Sequence, residues 1–141
     1  MARTLDVMAR MRRLVVEEAR QRLAFCLQAE TAAAAVAHAA ADRIAHEQAV
    51  ASHIAADDQV VEAYISWLPR GTAALEQARE VLERSRAAAE QARAQLNAAR
   101  SGAEAVDRRI QAAQAVERVA ALAREQAELD EAALGRHTGA G

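Results

Sequence analysis

Leu68-Pro69-Arg70-Gly71-Thr72 falls near the middle of the 141 residues and holds the chain's one proline and one of its five glycines. Proline cannot donate the hydrogen bond that continues a helix, glycine permits a tight reversal, and the Thr72 hydroxyl can cap a new helix. Taken as a turn at 68–72, the stretch predicts two helical arms, residues 4–67 and 73–134, followed by a flexible tail over 135–141. Asp57-Asp58 offers an earlier reversal, which would leave Pro69 as a kink inside the second helix.

On either side of the turn the apolar residues repeat in heptads. In the first arm Ala9, Val16, Leu23, Ala37, Ile44, Ala51 and Ile65 alternate with Leu5, Ala19, Cys26, Ala33, Ala40, Ile54, Val61 and Leu68. Arg12, Glu30, Glu47 and Asp58 interrupt that seam. The second arm continues with Leu75, Leu82, Ala89, Leu96, Ala103 and Ile110 against Ala78, Ser85, Ala92, Ala99 and Val106, then Ala113, Ala120, Ala127 and Leu134. Its last positions carry Glu117, Arg124 and Glu131 instead. A seam sustained over so many heptads predicts an all-α fold, a long antiparallel two-helix coiled-coil hairpin. A reversal at Pro69 would set residues whose numbers sum to roughly 140 side by side, such as Ile44 and Leu96, in arms on the order of 90 Å long.

Composition agrees with a thin rod. Aromatic residues make up 2% of the chain, so no thick core can form, and much of the 52% hydrophobic content is alanine, which favours helix but buries little area. The formal charge of −2 supplies no clustered positive field for nucleic acid. A single cysteine, Cys26, cannot form an internal disulfide and fits a reducing compartment. The expectation is a cytoplasmic protein without a secretory leader or a bilayer-spanning run. An organellar transit peptide is the alternative for the Arg-rich start, Met1 to Val16.

Four constellations invite a functional reading. His46 and His53 are two turns apart and form the nearest approach to a metal pair, against the simpler reading of two solvated histidines. With no phosphate loop, nucleophile elbow or zinc signature, the expectation is a non-enzyme with no cofactor and no metal. Arg79, Arg86, Arg93 and Arg100 form a stripe that would meet an acidic partner or pair locally with Glu76, Glu83 and Glu90, with Asn97 leaving Arg100 alone. Apolar residues beyond the seam's needs gather near the termini: Met8, Met11, Leu14 and Val15 on one arm, Val116, Val119, Leu122 and Leu129 on the other, with Arg10, Arg12 and Arg13 beside them. They would form a partner-binding collar where the arms end. Tyr64 and Trp67 either close the tip or anchor a partner.

In their order along the chain these residues resemble the FliJ family of flagellar type III export, with the YscO stalk proteins of injectisomes as relatives. Leu5, Met8, Met11, Leu14, Glu18, Ala19, Arg20 and Leu23 resemble the family's opening helix. Tyr64 to Trp67, leading to Leu75-Glu76-Gln77-Ala78, is similar to its aromatic entry into the second helix, and Glu128-Leu129-Asp130-Glu131-Ala132 to its closing acidic segment. The chain lacks the family's aromatic residue four positions before Leu75 and its histidine beyond Ala78. The resemblance implies a stalk in the central hole of a hexameric export ATPase, touching the cytoplasmic domain of the export gate and escorting export chaperones at the cytoplasmic face of the membrane apparatus. It implies ATPase contacts at Met8, Arg10, Met11, Arg13, Leu14, Val119, Leu122 and Leu129, and gate contacts at Tyr64, Trp67, Leu75 and Ala78. The contrasting reading is a coiled-coil adaptor that dimerises into a four-helix bundle.

Overall fold

The structure is a computed structural model and describes residues 2–139. Two helices account for nearly all of it, α1 over Ala2–Ala51 and α2 over Asp58–Gly139, with no strand among the described residues. The fold is an all-α helical hairpin, as the heptads predict. The described residues group into two compact units, 17–97 and 2–16 with 98–139.

The reversal lies at residues 52–57, earlier than the Pro-Gly stretch predicts. Asp57 starts α2: its Oδ1 accepts from the Val60 N–H at 3.0 Å, and its carbonyl accepts from Val61 at 3.2 Å. That is an N-cap, which satisfies one of the orphan donors of the first helical turn. Within the turn, His53 Nδ1 accepts from the Ala55 N–H at 3.1 Å and the His53 carbonyl from Ala56 at 3.0 Å. Pro69 instead lies inside α2. Its missing N–H leaves the Ile65 carbonyl without its helical partner, a local cost that packing around it offsets. Gly71 is buried there, and Arg43 of α1 stacks on Trp67 at 5.1 Å from the ring centroid.

In unit 17–97 the two helices run antiparallel, with Arg43 level with Trp67. Ile44 therefore lies beside the Trp67 stretch and not beside Leu96. The buried and half-buried positions of α1 in this unit include Leu23, Cys26, Ala33, Ala37, Ala40 and Ile44, which is the predicted seam. In α2 they include Leu75, Ala78, Leu82, Ala89, Ala92 and Leu96, again as predicted. Ile54 and Ile65 leave the seam, at 103% and 61% exposure, because the chain has already turned. Glu30 and Glu47 are half-buried seam members, and no buried side-chain polar atom among the described residues lacks a partner.

Seven of the nine buried hydrophobic residues are alanines, the others being Leu96 and Val106. Small seam residues let two helix backbones approach closely, yet each buried methyl contributes only about 0.8 kcal/mol. The hairpin is consequently held by length and register more than by bulk.

In the unit of residues 2–16 and 98–139, Ala9, Ala99 and Val106 are buried and Leu5 and Ile110 half-buried. Arg12, which breaks the heptad pattern, lies over Gly102, where an added Cβ would come 3.0 Å from Arg12 Nη1. The missing side chain of Gly102 makes room for the arginine that the seam does not want. Helix α2 runs unbroken through Ser101 and Gly102, and on through Gly135 to Gly139. The predicted tail is thus helical as far as Gly139, while Ala140 and Gly141 lie outside the described residues.

One 18-residue window of α1 reaches a mean hydropathy of 1.2 with at most two charged residues, long and apolar enough by composition to cross a bilayer.

Candidate functional site

The ATPase-contact residues inferred from the resemblance all fall in the unit of residues 2–16 and 98–139. Met8 is half-buried, Arg10 and Arg13 are exposed, and Met11 and Leu14 are 61% and 67% exposed. On α2, Val119, Leu122 and Leu129 are 67%, 65% and 59% exposed. The structure does not gather these two sets into one collar. Ala2, Leu5 and Asp6 border a groove with Ile110, Ala113 and Arg118, so α1 begins level with that part of α2. From Gln111 to Gly139 every residue of α2 is exposed. Beyond Arg118 the helix continues for about 30 Å at 1.5 Å per residue with no part of α1 beside it among the described residues.

This bare segment is amphipathic in its own right. Val119, Leu122, Gln126, Leu129 and Ala133 follow alternating steps of three and four residues, one stripe along a helix. The stripe is displaced from the positions that face α1 further up, Val106 and Ile110. Glu125 borders it on one side and Asp130 on the other, with Gln126 Nε2 donating to Asp130 Oδ1 at 3.3 Å, while Glu128 and Glu131 lie towards the opposite face.

The residues inferred to touch the export gate lie in unit 17–97, and they face α1. Ala78 is 6% exposed, while Tyr64, Trp67 and Leu75 are half-buried. Among the described residues, Trp67 has a specific partner across the seam, Arg43. The ring lies over Gly71, where a Cβ would stand 2.5 to 2.9 Å from three ring carbons. Gly71 is therefore a packing glycine and not a turn glycine.

Of the arginine stripe, Arg86 pairs with Glu83 at 3.7 Å and Arg93 with Glu90 at 3.1 Å. Both pairs are exposed and contribute no more than about 0.5 kcal/mol each. Arg79 and Arg100 make no ion pair among the described residues. His53 is occupied in the turn, and no group of three potential metal ligands occurs among the described residues.

Sequence reading missed a lateral groove of unit 17–97. Ala29, Ala32, Ala33 and Val36 of α1 face Ala74, Ala78 and Val81 of α2 across it. It continues past Ala74 to Ala39, Ala40, Gly71 and the Arg43, Trp67 and Arg70 side chains. Phe25, Ala29, Ala32 and Val36 recur at steps of four, three and four just beside the seam, which is the signal that could have revealed it. Phe25 and Val36 are 71% and 60% exposed. Glu83–Arg86 and Glu90–Arg93 occupy heptad positions of α2 on the other side of the seam.

In comparisons with known proteins, no family model, no curated protein and no solved structure matches the chain.

Proposed function

We propose that the protein is a non-enzymatic stalk of a flagellar or related type III export apparatus. It binds the hexameric export ATPase, couples it to the cytoplasmic domain of the export gate and escorts export chaperones, at the cytoplasmic face of the membrane. The observation that carries this reading is the bare end of α2, where Val119, Leu122 and Leu129 are exposed on a helix that α1 does not cover. A single amphipathic helix that extends past the start of α1 suits insertion into a ring, whose wall would cover the apolar stripe. On α1, Met11 and Leu14 add apolar contact, with Arg10 and Arg13 available to acidic groups of the ring. The order of the sequence motifs supports the same family.

The test is to mix the purified chain with the cognate ATPase and follow hexamer assembly and ATP hydrolysis. The proposal expects both to rise in the micromolar range, and indifference of both would end it.

Ala78 itself is buried. A gate domain would have to meet Trp67 and Leu75 from the flank, at the Arg43 end of the lateral groove. A coiled-coil adaptor is the second reading, favoured by the alanine-rich seam, which leaves a lone hairpin short of buried area.

A further inference from the structure

Two surfaces are left without partners: the lateral groove of unit 17–97 and the apolar stripe at the end of α2. We infer that they fit one another between two copies of the chain, the C-terminal segment of α2 from one copy lying in the groove of the other. This inference does not depend on the export reading.

The groove has the shape of a helix site. Its floor is Ala33, Ala78 and Gly71, all buried and all small, so a third helix can approach the two backbones closely. Its walls are Val36, Val81 and Trp67. From Trp67 to Ser85 the lined stretch of α2 is about 27 Å long, which accommodates roughly five turns of helix. The end of α2 beyond Arg118 is of similar length, and presents Val119, Leu122 and Leu129 as the large side chains that an alanine floor lacks.

Charge chooses the occupant. No acidic side chain lines either part of the groove, while Arg43 and Arg70 do, and neither arginine makes an ion pair among the described residues. On the C-terminal segment, Glu125 and Asp130 stand on either side of the apolar stripe, beside its large residues Leu122 and Leu129. The segment's apolar stripe is thus bordered by the carboxylates that the groove's two guanidiniums have no partner for. Self-association of this kind would cover the apolar stripe of α2 until another partner takes it.

Light scattering and sedimentation of the full chain between about 1 and 200 μM test the inference, alongside R43E/R70E and E125R/D130R variants. The expected result is concentration-dependent association that each charge reversal weakens at least tenfold and that mixing the two variants restores. L122E/L129E, altering exposed positions only, should likewise leave monomers whose helix content by circular dichroism is unchanged. A chain that stays monomeric throughout, or an oligomer insensitive to both reversals, overturns it. Uptake of another acidic helix by the groove of a strictly monomeric chain would overturn it too, by assigning the groove to a different protein.

Discussion

The indole of Trp67 rests on Gly71, one helical turn ahead, and the Arg43 guanidinium covers the ring 5.1 Å from its centroid. A side chain at position 71 would meet the ring at under 3 Å, so the glycine sets where the indole can lie. Replacing Gly71 by alanine should swing the ring off Arg43 towards water and red-shift its emission. The gain in helix propensity, about 1 kcal/mol, would be largely offset by lost ring burial. In a Trp67→Leu background the same substitution should stabilise by nearly the full amount, and a thermal-unfolding double-mutant cycle reads the difference.

Gly102 provides the contrast. The atom its missing Cβ would meet is Arg12 Nη1, at 3.0 Å, the far end of a flexible side chain. Gly102→Ala should therefore stabilise by about 0.5–1 kcal/mol, since the arginine can shift and the helix gains propensity. Urea unfolding would register it as a raised midpoint with an unchanged slope.

Proline and the cap give opposite signs. Asp57→Ala removes the acceptor for the Val60 N–H and should cost about 1 kcal/mol, with Asp57→Asn nearly neutral. Pro69→Ala should stabilise, by up to about 3 kcal/mol, because Pro69 lies inside α2. Were the reversal at Pro69, removing it would bring no such gain, so thermal melts of the two variants distinguish the two hairpins.

The heptads made the helical hairpin and its seam legible, down to Ala33, Ala78 and Leu96, because seam residues at alternating steps of three and four are a property of the chain alone. The place of the turn was not legible from Pro69 and Gly71. Those residues report local backbone preference, whereas the reversal is decided by which heptads find partners, and by the cap at Asp57. That difference propagates. Pairing about Pro69 hid the fit of Arg12 to Gly102 and drew the C-terminal apolar residues into a collar with Met8 and Leu14. Pairing about residues 52–57 leaves them on a helix of their own. The lateral groove was obscured because its alanines read as seam filler until the second stripe, Phe25 to Val36, is separated from the first.

That unpartnered helix makes the energetics of two leucines diverge. Leu96 is 5% exposed in the seam and Leu122 is 65% exposed beyond α1. Leu96→Ala should cost about 2–3 kcal/mol, since it removes apolar area and leaves space between helices too regular to collapse into it. Leu122→Ala should change the stability of the isolated chain by less than about 0.5 kcal/mol. Its effect should surface only on association: Leu122→Ala with Leu129→Ala should weaken binding to the proposed ATPase partner, or to a second copy, by tenfold or more while the melting curve stays in place. Chemical denaturation and a binding titration on the same variants check both halves. A large loss of stability from Leu122→Ala would mean that the end of α2 is covered within the chain itself.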